Sequence, residues 1–353
     1  MTTLHAVVPA GVDDPTRPSG GNVYDRRVLD GLRMLGWRVE EHHVAGAWPT
    51  PGVGSLAGLA QVLAGLPDGS LVLVDGLVAS AAAVVLPGAS ARLHTVVLVH
   101  MPLGPDAGEE AVLSGASAVV TTSRATRDRL RAWYALRRIH VCEPGADVAP
   151  TAGGSGGGAS LLCVAAVHRG KGHDLLLDAL AEVADLPWTL TCAGSLEVDP
   201  MHVELLQRRV YARRWEDRVR FVGPLVGAGL DAAYAAADLV VLGSRAESYG
   251  MVLSEAVAHG LPVVATAVGG VAEAVGRAAD GSVPGLLVNP DDPTALADAL
   301  GAWLTDPRLR EHLSQSAALR RRDLRPWAAT AADLAAVLTQ VDHRLHAATG
   351  SPR

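Results

Sequence analysis

Residues 244–273 read SRAESYGMVLSEAVAHGLPVVATAVGGVAE. An apolar strand over residues 238–243 leads into this stretch, and a polar turn then carries Glu247 at the end of the strand. Apolar side chains at helical spacing predict a helix over residues 250–259, which a glycine and a proline end before a second strand at residues 262–266. This order of elements predicts a parallel sheet covered by helices, with ligands bound beyond the carboxyl ends of the strands.

Two carboxylates in this stretch suit a polyhydroxyl, phosphorylated ligand. Glu247 lies in the turn and Glu255 lies inside the helix. Each can accept hydrogen bonds from vicinal hydroxyl groups, whereas an ordinary surface glutamate would explain either residue alone. The start of the helix offers backbone N–H groups and a positive dipole to a phosphate. The residues predicted to bind in this way are Ser248, Tyr249, Gly250, Met251 and Val252.

The arrangement, with Gly250 between the two glutamates, resembles the Glu-x7-Glu signature of retaining glycosyltransferases of family 4. The resemblance implies the α/β GT-B fold, in which two Rossmann-like domains have parallel sheets that face each other across an interdomain cleft. It also implies that a sugar moves from a nucleotide-diphosphate sugar to an acceptor hydroxyl, with the α-configuration retained by front-side displacement. Glu247 is then expected to hold hydroxyl groups of the donor sugar, and Glu255 those of the ribose.

The length and pattern of the chain predict two domains. A chain of 353 residues exceeds one usual domain, and residues 145–160 include a Gly/Ser-rich run with the composition of a flexible linker. We therefore expect an acceptor-binding domain at residues 1–150 and a nucleotide-sugar-binding domain at residues 151–326. The resemblance implies that a terminal helix, residues 327–353, crosses back to the first domain.

Twelve short apolar runs, separated by helical segments, predict the strands of two parallel sheets. The predicted strands are residues 5–9, 38–42, 71–74, 95–100, 118–122 and 139–142 in the first half, and residues 161–166, 189–193, 219–222, 239–242, 262–266 and 285–288 in the second half.

Lys171 is the only lysine in the chain, and it follows the predicted strand at residues 161–166. A flexible point charge at a strand end suits a leaving phosphate, although a solvent-exposed lysine is the simpler alternative. The resemblance implies that Lys171 contacts the donor diphosphate. Many members of that family have an arginine where this chain has Ala166, so Arg169 either supplies the missing charge or is an ordinary surface arginine.

Glycines stand at further positions where the resemblance implies a close approach of the backbone to the ligand. They are Gly20 and Gly21, which follow the first strand and open a helix, Gly194, and Gly269 with Gly270. Each of them could instead be an ordinary turn glycine. The first pair is not part of a Gly-x-Gly-x-x-Gly fingerprint, and no acidic residue follows a second strand in the expected place. The sequence therefore disfavours NAD as a ligand.

His100 ends the apolar run of residues 95–100. The resemblance implies that a histidine at this strand end reaches the donor sugar from the first domain. We therefore expect His100 to join Glu247 and Lys171 as a catalytic residue. The alternative is a core histidine that is hydrogen-bonded to the backbone.

The composition of the chain limits which partners and cofactors we expect. A net charge of −7 disfavours nucleic acid as a partner. The three cysteines have neither a metal-binding spacing nor a disulfide pattern, and the first residues lack the features of a secretion signal, so we expect a cytoplasmic protein with reduced thiols. No metal or cofactor is predicted, because a lysine and helix dipoles can meet the phosphate charge. The arginine-rich residues 123–139 fit a solvated helix face. The alternative is a basic, amphipathic patch that contacts a membrane surface, and such contact is possible but not predicted.

Two other functions stay open on the sequence alone. A nucleotide-sugar epimerase or hydrolase on the same fold would act without an acceptor. A non-catalytic partner subunit that binds nucleotide sugars would fit the loss of the arginine at Ala166, although Glu247, Glu255 and Lys171 favour an enzyme. No side chain is an obvious nucleophile like those of retaining hydrolases, so we expect the departing phosphate to take the acceptor proton.

Overall fold

The structure is a computed structural model that describes residues 3–105 and 108–349, with side chains described up to residue 343. The chain forms two compact units. Unit 1 comprises the residues up to Asp13, Gly21–Gly145 and the chain from Arg325 onward. Unit 2 comprises Asp14–Gly20 and Ala146–Leu324.

Unit 1 is built on a six-stranded parallel sheet. Its strands are β1 (Thr3–Pro9), β2 (Arg38–Val44), β3 (Leu71–Asp75), β4 (His94–Val99), β5 (Ala118–Thr121) and β6 (Ile139–Val141). Their order across the sheet is β2-β1-β3-β4-β5-β6. The connecting helices are α1 (Gly20–Met34), α2 (Val53–Gly65), α3 (Gly76–Ser80), α4 (Leu86–Ser90), α5 (Glu109–Gly115) and α6 (Arg124–Trp133). Every residue of β3 is buried, as expected for an inner strand covered on both faces.

Unit 2 has a second six-stranded parallel sheet. Its strands are β7 (Ser160–Val164), β8 (Thr189–Ala193), β9 (Val219–Gly223), β10 (Leu239–Leu242), β11 (Val263–Thr266) and β12 (Gly285–Val288). Their order is β12-β11-β10-β7-β8-β9. Its helices are α7 (His173–Glu182), α8 (Pro200–Ala212), α9 (Ala228–Ala236), α10 (Met251–Ala258), α11 (Val271–Val275), α12 (Pro293–Thr305) and α13 (Pro307–Arg320). Because β7 and β10 are neighbours, the loops that follow them begin side by side.

The last helix, α14 (Trp327–Thr349), packs within unit 1. Thr330 Oγ1 donates a hydrogen bond to the carbonyl oxygen of Glu143 over 2.7 Å. The Trp327 ring meets the ring of Tyr24 edge to face, with 5.7 Å between the ring centroids. The helix is therefore held by both polar and aromatic contacts at its first turn.

The glycine-rich segment that precedes β7 is not a flexible linker, so this prediction was wrong. The backbone N–H of Ser155 donates to Asp238 Oδ1 over 2.7 Å, and the carbonyl oxygen of Gly158 accepts from Trp303 Nε1 over 2.7 Å. Gly154 has a φ of +60°, and a Cβ there would lie 2.4 Å from Asp238 Oδ1. The glycines serve tight, hydrogen-bonded turns against unit 2, a role that composition alone does not distinguish from flexibility.

The predicted α/β class with parallel sheets is confirmed. All twelve predicted strands are present, and their bounds agree with the prediction to within two residues. Among the residues that the structure describes, no helix is both long enough and apolar enough to span a bilayer.

Candidate functional site

The structure brings together two of the predicted catalytic residues, Lys171 and Glu247. Lys171 ends a short 3-10 turn after β7, and Glu247 lies in the loop after β10. Lys171 Nζ donates to Glu247 Oε1 over 2.6 Å, and Ser244 Oγ donates to the same oxygen over 2.8 Å. The Glu247 side chain is 10% exposed and that of Lys171 27% exposed, so solvent screens this ion pair only in part.

Gly269 and Gly270 shape the loop that carries Glu247. Gly269 has a φ of +51°, and a Cβ on it would lie 1.7 Å from the carbonyl oxygen of Glu247. The N–H of Gly270 donates to that same carbonyl over 3.3 Å. Only a residue without a side chain fits at position 269, because the two loop backbones are in direct contact. These two glycines therefore hold the backbone of the Glu247 loop in place.

The Lys171 turn is fixed to the Glu247 loop through backbone contacts. Gly172 has a φ of +63°, and a Cβ there would lie 1.8 Å from the carbonyl oxygen of Gly243. The N–H of Arg245 donates to the carbonyl oxygen of Gly170 over 2.9 Å. The ion pair therefore joins two loops whose backbones already hold each other in place.

Arg245 strengthens the same loop, and sequence reasoning missed it. Its guanidinium forms a two-pronged ion pair with Asp174, with N–O distances of 2.9 and 3.0 Å, and its Nε donates to Asp291 over 2.8 Å. Partial burial would raise the pKa of Asp174, but the hydrogen bonds and charge of Arg245 outweigh it and lower that pKa. No spacing in the sequence identifies these partners, since the two carboxylates come from separate elements.

The side chain of Arg169 is exposed and forms no ion pair with a described residue. Its carbonyl oxygen accepts a hydrogen bond from Arg245 over 2.7 Å. Whether Arg169 supplies the charge that is missing at Ala166 therefore stays a prediction.

Glu255 is held by a buried tyrosine. Tyr234, which is 1% exposed, donates its hydroxyl to Glu255 Oε2 over 2.9 Å. The Tyr234 ring stacks on His259 with 4.6 Å between centroids. Burial and the nearby Glu255 carboxylate raise the pKa of Tyr234 well above its ordinary value, so it stays a neutral donor. The second predicted glutamate therefore has a fixed orientation on α10.

Other predicted residues lie around the start of α10 and at the end of β8. Gly250, with a φ of +94°, caps α10, and Tyr249 is buried. Ser248, Met251 and Val252 are half-buried. Gly194 follows β8, and a Cβ there would lie 2.0 Å from the carbonyl oxygen of Ala165, so it allows two strand ends to approach closely.

The third predicted catalytic residue, His100, follows β4 in unit 1. Its Nε2 lies 2.7 Å from Asp25 Oδ1 on α1 and 3.4 Å from Asp75 Oδ2 at the end of β3. Gly21 permits this packing, because a Cβ there would lie 3.2 Å from the His100 ring; its neighbour Gly20 begins α1. His100 is not the predicted alternative, a core histidine bonded to the backbone, since its partners are two side-chain carboxylates.

The two carboxylates beside His100 were missed by sequence reasoning. Asp25 and Asp75 are 2% and 4% exposed. Burial raises the pKa of Asp75 to about 7, helped by the negative charge of Asp25 and opposed by His100. Burial alone would lower the pKa of His100, but the charge and hydrogen bond of Asp25, together with the charge of Asp75, raise it. The only sequence signal was an aspartate at the end of a strongly apolar strand.

Asp25, Asp75 and His100 are the one group of three in the described chain whose acidic and imidazole atoms all lie within 4.8 Å of one another. The separation of 2.7 Å between His100 Nε2 and Asp25 Oδ1 is that of a charge-assisted hydrogen bond. We therefore interpret the group as a hydrogen-bonded ion cluster. The expectation of a metal-independent reaction stays a prediction.

The fold belongs to a known class. The chain superimposes on sucrose-phosphate synthase from Thermosynechococcus elongatus with a TM-score of 0.79 and 21% identity, over 98% of this chain and 100% of that one. It also superimposes on HepE from Anabaena in complex with UDP and glucose, with a TM-score of 0.75 and 21% identity, over 96% and 100% of the two chains. The predicted GT-B class is confirmed.

Sequence comparison also finds similarity to glycosyltransferases. Residues 158–306 match the family described as "Glycosyl transferases group 1", and this region contains Lys171, Glu247 and Glu255. The D-inositol 3-phosphate glycosyltransferase of Kineococcus radiotolerans is 34% identical over 255 residues, which cover 65% of this chain and 58% of that protein. D-inositol 3-phosphate glycosyltransferase 1 of Catenulispora acidiphila is 34% identical over 292 residues, covering 76% and 64%. The chain thus spans less than two thirds of the length of these relatives.

Proposed function

We propose that this chain is a retaining glycosyltransferase that moves a sugar from a nucleotide-diphosphate sugar to an acceptor hydroxyl. The observation that carries the proposal is the ion pair between Lys171 and Glu247, which lies within the region matched by the glycosyltransferase family. The pair offers a cation for a diphosphate and an acceptor for sugar hydroxyls at the ends of two neighbouring parallel strands. The names of the relatives support the same class of reaction.

Glu247 is suited to orient the donor sugar. Its Oε1 accepts from both Lys171 and Ser244, whereas its Oε2 accepts no hydrogen bond from a described residue. A carboxylate held in this way can turn its second oxygen toward two neighbouring hydroxyl groups without reorganising. Glu255, fixed by Tyr234, is proposed to accept the hydroxyl groups of the ribose.

Lys171 is proposed to stabilise the leaving diphosphate. In the transfer, the bond between the anomeric carbon and the phosphate oxygen breaks, and the acceptor oxygen bonds to the same face of that carbon. The acceptor proton passes to the departing phosphate oxygen, so the protein needs no general base for this step. The ammonium group and the first-turn N–H groups of α10 stabilise the charge that develops on the diphosphate. No metal is required by this scheme.

A combined binding and turnover experiment tests the proposal. Thermal unfolding is followed with UDP-, GDP- and ADP-sugars, and the stabilising donor is then incubated with hydroxyl acceptors, starting with D-inositol 3-phosphate because the relatives carry that name. The expected result is donor consumption that depends on the acceptor, continues in EDTA and gives an α-linked product by NMR.

The other functions give different results in the same experiment. Conversion or hydrolysis of the donor without an acceptor would indicate an epimerase or hydrolase. Stabilisation by a donor without turnover on any acceptor would indicate a non-catalytic binding subunit. A β-linked product, or activity abolished by EDTA, would contradict the proposed mechanism.

A further inference from the structure

His100 is enclosed by three elements of unit 1. Its ring packs on Gly21 at the start of α1 and edge to face on Tyr24, with 5.3 Å between ring centroids. Gly76, just after β3, allows another close approach, since a Cβ there would lie 2.5 Å from the carbonyl oxygen of Leu98 and 3.2 Å from the backbone nitrogen of His100. The imidazole therefore has little freedom to change its rotamer.

Both carboxylates of the cluster approach the same ring nitrogen. His100 Nε2 is 2.7 Å from Asp25 Oδ1 and 3.4 Å from Asp75 Oδ2. Nδ1 forms no hydrogen bond with any residue that the structure describes, and the side chain keeps 9% exposure. A protonated imidazole donates from both nitrogens. One N–H is thus anchored on aspartates, and the other remains available to a ligand.

The charges around the cluster favour a cationic imidazole. Asp75 accepts from the backbone N–H of Val78 over 3.0 Å, and Asp25 Oδ2 is buried without a partner among the described residues. Neither carboxylate forms an ion pair with an arginine or lysine of the described chain. Burying two carboxylates with no other cation beside them costs free energy of folding. This cost is reduced if His100 carries a positive charge and one of the two carboxyl groups holds a proton. The raised pKa values of Asp75 and His100 agree with this assignment.

We propose that Asp25 and Asp75 are positioning residues that hold His100 through Nε2 and thereby present its Nδ1–H group to an oxygen of the sugar substrate. This inference rests on the proposed glycosyltransferase function. It gives a role to two residues of unit 1 that neither the sequence pattern nor the comparisons assign. The aspartates act through His100 and do not themselves touch the substrate.

Kinetics of single and double variants test the coupling. Asp25→Asn and Asp75→Asn keep the shape of the side chain but weaken the hold on the imidazolium. We expect Asp25→Asn to lower kcat for sugar transfer about tenfold to a hundredfold, as for the loss of a charge-assisted hydrogen bond, with little change in the KM for the donor. Asp75→Asn is expected to lower kcat less, because Asp75 lies farther from Nε2 and is largely protonated below pH 7. The matched control is Asp30→Asn, an exposed aspartate on α1 that pairs with Arg33. Its kcat is expected to stay at the wild-type value.

The double variant Asp25→Asn/His100→Gln separates positioning from a general structural effect. If Asp25 acts through His100, the double variant is no slower than His100→Gln alone. Additive losses, or a loss only in the unfolding temperature, would overturn the proposal.

Nitrogen-15 NMR of the histidine rings tests the arrangement without any activity. The His100 signals are identified by their absence in His100→Gln. We expect protons on both ring nitrogens at neutral pH in the wild type, and loss of the charged form in Asp25→Asn. A neutral His100 ring in the wild type, or His100 signals that shift when EDTA is added, would overturn the proposal. If the protein proves not to transfer sugars, this measurement still decides whether the aspartates hold the imidazole.

Discussion

Lys171 and Glu247 form an ion pair whose atoms Nζ and Oε1 are 2.6 Å apart, although the residues are 76 positions apart in the chain. Each residue keeps the other in place before any ligand arrives. Under the proposed function, an anionic donor shares Lys171 with Glu247, which costs some affinity for the diphosphate. In return, the ammonium and the carboxylate have fixed positions, which favours the transition state over a loosely bound ground state.

The first prediction concerns Lys171. In Lys171→Gln, the diphosphate loses its ammonium partner, and we expect the affinity for UDP to fall about tenfold to a hundredfold. Lys171→Arg is expected to restore only part of the affinity, because a planar guanidinium does not fill the place of a compact ammonium. Isothermal titration with UDP measures both changes. Wild-type UDP affinity in Lys171→Gln would contradict the assigned role.

The second prediction distinguishes binding of the donor sugar from binding of the nucleotide. In Glu247→Gln, Oε2 is no longer a charged acceptor for sugar hydroxyls, so we expect the transfer rate to fall about tenfold or more. UDP without a sugar should bind at least as tightly as before, since Lys171 is retained and no longer pairs with a carboxylate. The control is Glu204→Gln, an exposed glutamate on α8 that pairs with Arg208. An unchanged transfer rate on the cognate substrates would refute the role of Glu247.

The sheets and the ion pair differ in how far the sequence could predict them. Strands such as β10 and β11 are apolar runs with polar ends, and such runs identify inner parallel strands directly. The closeness of Lys171 and Glu247 depends on β7 lying beside β10, a strand order that local pattern does not contain. The closeness of Lys171 and Glu247 could therefore be predicted only through the resemblance to a known family.

The cluster around His100 was beyond prediction for a different reason. Asp25 lies on α1, Asp75 ends β3 and His100 follows β4, so three elements must fold before the groups meet. No local spacing links them. Likewise, the hydrogen bonds between Ser155 and Asp238 turn a segment with the composition of a linker into ordered turns. Long-range polar contacts of this kind are specified by tertiary packing.

The third prediction tests the role of Gly269. Gly269→Ala must accommodate both a φ of +51° and a contact of 1.7 Å with the carbonyl oxygen of Glu247. Gly281→Ala is a matched control, because Gly281 has a φ of +85° but no atom within 4 Å of an added Cβ. We expect a loss of about 1 kcal/mol in the free energy of unfolding for Gly281→Ala and about 3 kcal/mol for Gly269→Ala.

Only Gly269→Ala should also lower the affinity for the donor sugar, since it moves the loop of Glu247. Urea unfolding and donor titration measure the two effects. Equal losses of stability in the two variants would show that the contact with Glu247 does not matter.

The fourth prediction concerns the hydroxyl of Tyr234. Tyr234→Phe keeps the stacking on His259 but removes the hydrogen bond to Glu255 Oε2. Glu255 then loses its fixed orientation, and we expect UDP to bind about fivefold more weakly while 2′-deoxy-UDP is affected less. Tyr211→Phe, at an exposed tyrosine on α8, serves as the control. An equal loss of affinity for UDP and 2′-deoxy-UDP would show that Glu255 does not bind the 2′-hydroxyl of the ribose.

The fifth prediction is a dependence of stability on pH that originates at Asp75. In the folded protein its pKa is about 7, against an ordinary value of 3.8, so between these values the folded state holds a proton that the unfolded chain has released. The free energy of unfolding therefore falls as pH rises through this range, and the contribution of Asp75 is lost above pH 7. His100, whose pKa is also raised, acts in the same direction.

Between pH 6 and pH 8, Asp75 alone should lower the free energy of unfolding by about 1 kcal/mol. Asp75→Asn removes this titration and leaves a neutral side chain at the same place, so the difference between the wild type and the variant should shrink or reverse sign as pH rises. Urea unfolding at the two pH values, with Asp30→Asn as a control for an exposed aspartate, measures the effect. A difference between the wild type and Asp75→Asn that stays constant from pH 6 to pH 8 would show that Asp75 does not titrate in this range in the folded protein, which would contradict the prediction.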